Sequence, residues 1–187
     1  MKVLAVLGSP RSQGNSATLA REVLSGLTAG GAEVQVYELN RLEFQGCQGC
    51  GACKTEAEAC VLEDDFTPIY AALREADVLL LASPVYFGDL SGQMKCFFDR
   101  LYALANPDFT SRLAPGKRAV VILTQGAPPE EMFADIFPRY ERWLQHFGFG
   151  PIHLLRGLGL SDAGEAAQRP ELLARAREVA GRLLVGT

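Results

Sequence analysis

Four cysteines lie in one short segment and are the strongest candidates for chemistry in this chain. They follow the spacing C-x2-C-x2-C-x6-C, at Cys47, Cys50, Cys53 and Cys60. The two-residue spacings let three sulfur atoms face one centre, and the longer last gap lets the chain return with the fourth. This arrangement suits a [4Fe–4S] cluster. Tetrahedral zinc and a metal-free loop with a Cys50–Cys53 redox pair are the two alternatives.

A second candidate site is the loop formed by residues 8–16. It lies between the apolar run 2–7, which has the pattern of a buried parallel strand, and a predicted helix from Ala17 onwards. A tight turn of small, hydroxyl-bearing residues exposes backbone N–H groups at the positive end of such a helix, where a phosphate binds well. The candidate phosphate ligands are Ser9, Arg11, Gly14, Asn15 and Ser16. The alternative is an ordinary turn in which Asn15 caps the helix.

Two later loops carry residues that could contact a flat ring system. One follows the most hydrophobic predicted strand, 77–82, and the other follows the predicted strand 118–123. Both offer backbone N–H groups and a glycine that permits close approach, and the first adds two aromatic side chains. The candidate ring-binding residues are Pro84, Val85, Tyr86, Phe87, Gly88, Thr124, Gln125 and Gly126. Taken singly, the two aromatic residues are also typical of ordinary packing.

The order of predicted elements explains how these loops would come together. Five apolar strands alternate with five helices, which predicts an α/β protein with an open parallel sheet covered on both faces. We expect a flavodoxin-like three-layer α/β/α sandwich with a five-stranded parallel sheet in the order 2-1-3-4-5. Ligands of such sheets bind beyond the carboxyl ends of the strands, where the three loops would converge. We expect residues 1–187 to form one domain, with the irregular cysteine segment 44–62 as an insertion.

Several stretches of the sequence together match a known pattern. They are Gly-Ser-Pro-Arg-x-x-Gly-Asn-Ser at 8–16, Ser-Pro-Val-Tyr-Phe-Gly at 83–88, the stretch 91–95, and Asp99 with Arg100. This pattern resembles the NAD(P)H-dependent FMN reductase family from the first strand to about residue 130, and the cysteine spacing resembles that of its iron–sulfur flavoprotein branch. The resemblance implies FMN as the cofactor, with its phosphate in the loop 8–16 and its isoalloxazine ring against 84–88 and 124–126. It also implies that all four cysteines of the segment 44–62 hold a cluster.

The function that this resemblance implies is that of an FMN-dependent oxidoreductase with NADH or NADPH as the electron donor. The expected acceptors are quinones, flavins, nitro compounds or metal ions. No residue is predicted to be a catalytic acid or base, because the flavin carries the chemistry. One alternative is an electron carrier between protein partners, such as a ferredoxin-like protein. Another is a redox sensor whose cysteine segment changes shape on oxidation.

Composition and charge exclude other functional classes. A net charge of −4 and the lack of a Lys/Arg cluster argue against a nucleic-acid partner. No apolar run approaches the roughly 20 residues that a membrane-spanning helix needs, so no membrane association is expected. Because residue 1 leads straight into the first strand, no signal peptide is expected either, and the predicted location is the cytoplasm. The predicted helices that follow the third and fourth strands are rich in aromatic residues, which predicts a homodimer or homotetramer with the flavin near an interface.

Overall fold

A sheet with two flanking layers of helices forms the protein in the computed structural model, which describes residues 1–186. The strands are β1 (Lys2–Leu7), β2 (Glu33–Glu38), β3 (Val78–Tyr86), β4 (Asp89–Leu90), β5 (Lys117–Thr124) and β6 (Phe149–Gly157). The helices are α1 (Asn15–Ala29), α2 (Ala52–Thr55), α3 (Thr67–Glu75), α4 (Gly92–Arg100), α5 (Ile136–His146) and α6 (Pro170–Val185). None of these helices is long and apolar enough to cross a membrane.

The sheet confirms the predicted doubly wound topology. Five strands run parallel in the order β2-β1-β3-β5-β6. This is the predicted order 2-1-3-4-5 once the short strand β4 is set aside. The strand β4, which the sequence pattern does not indicate, pairs antiparallel with the end of β3 and makes the sheet six-stranded. A strand of two residues is too short to show an alternating pattern.

Alternating side chains along each strand fill two separate cores. Val3, Ala5 and Leu7 of β1 point toward a core that includes residues of α1 and α6. Leu4 and Val6 point to the opposite core, which includes residues of α3, α4 and α5. Successive side chains of a strand face opposite sides of its sheet, and both sides are apolar here. The sheet is therefore covered on both faces, as the sequence predicted.

Candidate functional site

The three loops that follow β1, β3 and β5 lie side by side at the carboxyl edge of the sheet. The register pairs Leu7 with Ala82, and Pro84 with Thr124, so the ends of the three strands are neighbours. The backbone N–H of Gly8 donates to the carbonyl of Ala82 at 2.8 Å and joins the first loop to β3. The structure thus places residues 8–16, 84–88 and 124–126 at the edge where ligands of this sheet type bind.

The first loop ends at a helix start that no side chain caps. Gly14 stands at the N-cap position of α1 in an extended conformation, and it makes no side-chain cap hydrogen bond. The first intrahelical bond runs from the N–H of Thr18 to the carbonyl of Gly14. The N–H groups of the preceding residues 15–17 therefore lack acceptors within the helix and can bind an anion.

Asn15 holds the loop in place from within the helix. The alternative in which it caps α1 is wrong, because it is the first helical residue. Its amide nitrogen donates to the carbonyl of Asp162 at 2.8 Å, and its amide oxygen accepts from the N–H of Ala166 at 3.0 Å. These hydrogen bonds tie the side chain of Asn15 to the stretch 162–166, which precedes α6. Only its backbone N–H is left for a ligand.

Ser16 carries a buried hydroxyl group without a partner. Its side chain is 1% exposed, and its Oγ makes no hydrogen bond within the described residues. Leaving a buried hydroxyl unpaired costs free energy, so such a group in a native protein calls for an explanation. Ser16 lies in the first turn of α1, whose backbone N–H groups also lack acceptors. A phosphate oxygen would satisfy both kinds of donor.

The remaining candidate residues of this loop shape it or extend from it. The Ser9 hydroxyl accepts from the N–H of Arg11 and donates to its carbonyl, both at 3.1 Å, and so closes a small turn. A Cβ atom on Gly14 would lie 2.4 Å from the Oγ of Ser9, so a side chain here would displace the hydroxyl that closes this turn. Arg11 is exposed. Its guanidinium makes no side-chain hydrogen bond or ion pair with any other described residue.

The second loop is a tight hairpin between β3 and β4. Its two central residues both have positive φ, 48° at Phe87 and 86° at Gly88. This is the geometry of two-residue hairpin turns, but it is uncommon for a phenylalanine and costs about 1–3 kcal/mol. Tyr86 and Phe87 are exposed, whereas Pro84 and Val85 are half-buried. The hairpin therefore holds two aromatic side chains in solvent at the same edge of the sheet as the loop 8–16.

The third loop is held from inside by Gln125. Its amide nitrogen donates to the carbonyls of Ala127, Pro129 and Met132, and its amide oxygen accepts from Arg156 at 2.7 Å. Thr124 is buried within β5. The side chain of Gln125 thus positions the chain 127–132, and Gly126 offers the free backbone of this loop. The sequence predicted Gln125 as a contact of the ring, and no sequence pattern predicted that its side chain would hold the chain 127–132.

The four cysteines of the segment 44–62 line one small cavity. Its volume is about 30 Å³, and Arg100 and Tyr102 also border it. Cys53 is buried, Cys60 is half-buried, Cys47 and Cys50 are exposed, and all four are free thiols. Among the described residues, no three His, Cys, Asp or Glu side chains are arranged to hold a metal ion. The structure brings the four cysteines to one cavity without placing them as a ligand set, although four thiols are the donors that a cluster needs.

Three cations anchor the cysteine segment to the rest of the fold. Lys54 donates to the carbonyls of Tyr102 and Ala105, both at 2.5 Å, and lies 4.0 Å from the ring centre of Tyr102. Burial lowers the pKa of Lys54 below its ordinary value. Arg112 donates to the carbonyls of Cys53 and Glu58. The third cation, Arg100, lies buried under the segment.

An open groove between α4 and α5 is a feature that the sequence indicated only through its aromatic composition. Its volume is about 390 Å³, far larger than the cysteine cavity. The aromatic groove, as we name it, is lined by Phe98, Tyr102, Phe109, Tyr140, Trp143 and Phe147. It extends from Asp89, just beyond the hairpin turn, to Ala105, which accepts from Lys54. This groove therefore lies next to the three loops and not among them.

The charged groups at the aromatic groove neutralise one another. Lys95 pairs with Asp99 at 2.5 Å, and Arg139 pairs with Asp89 at 3.3 Å. The hydroxyl of Tyr140 donates to Asp89 at 2.8 Å. Burial, together with this bond to a carboxylate, raises the pKa of Tyr140 above its ordinary value. The groove thus presents apolar rings with no unpaired charge.

The comparisons with known proteins agree with the fold and the motifs. The family model described as NADPH-dependent FMN reductase matches residues 1–130. An iron–sulfur flavoprotein of Archaeoglobus fulgidus is 30% identical over 185 residues, which are 95% of this chain and 81% of that protein. An iron–sulfur flavoprotein of Methanocaldococcus jannaschii is 42% identical over 100 residues, 54% of this chain. Since these residues are 51% of that protein, the chain spans about half the length of this relative.

A solved structure supports the fold alone. The NAD(P)H:quinone oxidoreductase from Methanothermobacter marburgensis superimposes with a TM-score of 0.76 at 21% identity, over 98% of this chain and 96% of that one. The matched family model and the similarity to an iron–sulfur flavoprotein over 95% of this chain confirm the resemblance that the sequence motifs indicated. This chain belongs to the NADPH-dependent FMN reductase family, in its iron–sulfur flavoprotein branch.

Proposed function

We propose that this protein is an FMN-dependent oxidoreductase that takes electrons from NADH or NADPH and passes them to a small-molecule acceptor. The observation that carries the proposal is the unpaired, buried hydroxyl of Ser16 beside three free N–H groups at the carboxyl edge of the sheet. The matched family is NADPH-dependent, and a relative in fold is a quinone oxidoreductase. Quinones are therefore the first acceptors to test, ahead of flavins, nitro compounds and metal ions.

Each of the three loops has a separate part in holding FMN. Ser9, Arg11, Gly14, Asn15 and Ser16 would surround the phosphate, through N–H groups, hydroxyls and one guanidinium. The hairpin 84–88 and the loop 124–126 would flank the ring, with Tyr86 and Phe87 limiting the access of water. When bound, FMN supplies hydride acceptance and one-electron or two-electron release. Asn15 and Gln125 hold the loops in position, and no described side chain at this edge is assigned as an acid or base.

Steady-state turnover tests this function directly. FMN-loaded protein should oxidise NADH or NADPH in the presence of a soluble quinone. Ser12→Ala, a change at an exposed serine of the loop 8–16, is the matched control and should turn over at the wild-type rate. If neither nucleotide reduces the bound FMN while a reduced ferredoxin does, the protein is an electron carrier and the enzyme proposal is wrong. The four cysteines around one cavity are the observation that favours this second candidate.

We also propose that Cys47, Cys50, Cys53 and Cys60 hold a [4Fe–4S] cluster. Support comes from the spacing, the shared cavity and the similarity to proteins named iron–sulfur flavoproteins. The segment 44–62 would then be an insertion into a single FMN-binding domain. Zinc on the same thiols, and a metal-free redox loop, are the alternatives that metal analysis separates.

Replacing Arg11 tests the phosphate assignment. Arg11→Ala should weaken FMN binding by about 1 kcal/mol, because the lost bond is charge-assisted but the side chain is exposed and water competes for it. Fluorescence titration of the metal-free protein with FMN measures this affinity. The melting temperature without FMN should not change. An FMN affinity equal to that of the wild type would remove Arg11 from the site.

The aromatic groove supports the prediction of a homo-oligomer. We propose that a second copy of the chain covers it, since it exposes large apolar rings and carries no unpaired charge to hold a polar partner. Sedimentation should show a homodimer or homotetramer at micromolar concentration, and Trp143→Glu, at the exposed rim of the groove, should shift it toward the monomer. A wild-type monomer at that concentration would refute this proposal.

A further inference from the structure

The guanidinium of Arg100 is buried beneath the cysteine segment and fully engaged in polar contacts. Its side chain is 0% exposed. Nη1 and Nη2 reach the two carboxylate oxygens of Asp64 at 2.7 and 3.2 Å, and Nε donates to the hydroxyl of Tyr70 at 3.2 Å. A buried cation is tolerated only when it is paired and hydrogen-bonded in this way. Its position is therefore set by these partners.

The partners of Arg100 bracket the cysteine segment. Nη1 also donates to the carbonyl of Gln45 at 2.8 Å, and Gln45 stands two residues before Cys47. Asp64 stands four residues after Cys60, and its carboxylate also accepts from the N–H of Gln45 at 3.2 Å. Both ends of the segment thus meet at one guanidinium. Closing a loop costs conformational entropy, and here the bonds of Arg100 and Asp64 at the ends of the segment offset that cost.

The same guanidinium borders the cavity that the cysteines line. The reduction potential of a cluster depends on nearby charge and on burial, and a buried positive charge favours the added electron. Asp64 carries the opposite charge and pairs with this guanidinium at 2.7 Å, although it does not itself line the cavity. Removing Arg100 or Asp64 therefore loosens the same closure of the segment but changes the local charge in opposite directions.

We propose that Arg100 is a positioning residue for the cysteine segment. Together with Asp64 and the carbonyl of Gln45, it forms a clasp that closes the segment before any metal binds, and its charge raises the reduction potential of a cluster held there. The first part depends only on the contacts of the clasp. The second part rests on the proposed cluster.

Hydrogen exchange of the metal-free, FMN-loaded protein tests the clasp. Arg100→Lys keeps a charge but loses the two-pronged pairing, and Asp64→Asn keeps the shape but loses the charge. Both changes should speed amide exchange across residues 45–64 by about tenfold, the effect of losing one charge-assisted bond. Lys117→Gln is the matched control, because Lys117 is a buried cation that donates to the carbonyls of Arg74 and Ala76. Unchanged exchange in both clasp variants overturns the clasp.

Anaerobic reconstitution with iron and sulfide tests the electrostatic part. Iron loss to a chelator should be about 10–100-fold faster in Arg100→Gln and Asp64→Asn than in the wild type, as for other residues that position metal ligands. The reduction potential of the cluster should fall in Arg100→Gln and rise in Asp64→Asn, whereas simple loosening would move both in one direction. Shifts of the same sign overturn the electrostatic part.

Different measurements would contradict the proposed cluster and the proposed clasp. A wild-type protein that takes up no iron overturns the cluster and the electrostatic part with it, and hydrogen exchange still decides the clasp. FMN binding in every variant shows that the fold has survived. If Arg100→Lys does not bind FMN, hydrogen exchange of Asp64→Asn alone decides the clasp, because this variant leaves the buried core around Arg100 at full volume.

Discussion

Replacing any one of Cys47, Cys50, Cys53 or Cys60 by serine should abolish the cluster and leave FMN bound. Wild-type protein prepared without oxygen should contain about four irons per chain, and each variant close to none, because a cubane held by four thiolates loses one of its anchors. FMN should remain, since its three loops lie at the carboxyl edge of the sheet and include none of the four cysteines. Iron analysis and the visible absorption spectrum measure both cofactors in one sample.

Cys96→Ser is the matched control for these variants. Cys96 lies on α4, outside the cysteine spacing, and it does not line the cavity of the other four. Its replacement should leave the iron content unchanged. Reconstitution that adds no broad absorption near the flavin bands in the wild type would end the cluster hypothesis. Zinc in place of iron after purification would favour the structural alternative.

The parts of the fold that follow from local pattern were predictable. The apolar runs of β1 and β3, joined to helices by short loops, are enough to indicate a doubly wound parallel sheet, because crossover connections are right-handed and strands of this type are buried. The two-residue strand β4 was not predictable. It exists because Phe87 and Gly88 both have positive φ. Phenylalanine rarely adopts positive φ, so its presence in the sequence does not predict this turn.

The location of the candidate site was predictable from the sequence, but the contacts made by its individual side chains were not. Spacing and residue type indicated the loop 8–16, and the structure adds that Asn15 uses its side chain to hold the chain near Ala166. Gln125 likewise braces the chain 127–132 from within. Such contacts join residues that are far apart in sequence, so no local pattern contains them. The clasp of Arg100 is the same case, with partners 36 and 55 positions away.

The unpaired hydroxyl of Ser16 should affect FMN binding and the stability of the FMN-free protein in opposite directions. In the protein without FMN, the buried Oγ has no partner among the described residues and costs free energy. With FMN bound, a phosphate oxygen would accept from it in a site that excludes water. Selection for folding alone would favour alanine here, whereas selection for phosphate binding favours serine. The two effects predict opposite outcomes for one substitution.

Ser16→Ala should stabilise the FMN-free protein and weaken its affinity for FMN. We expect the free energy of unfolding without FMN to rise by about 1 kcal/mol, because the unpaired hydroxyl is gone. FMN binding should weaken by about 1.5–3 kcal/mol, the usual value of a bond to a charged group. Urea unfolding without FMN and fluorescence titration with FMN measure the two quantities. At saturating FMN the order of stability should reverse, since a ligand that binds only the folded state adds more stability the more tightly it binds.

Ser12→Ala controls for loss of a hydroxyl from the same loop. Ser12 is exposed, so neither quantity should change. A Ser16→Ala variant that loses stability would show that its hydroxyl already has a partner in solution, and an unchanged FMN affinity would place the phosphate elsewhere. If both occur, the loop 8–16 is an ordinary turn after all. If the two signs are opposite, as expected, the free energy lost by leaving the Ser16 hydroxyl unpaired is recovered when the phosphate binds.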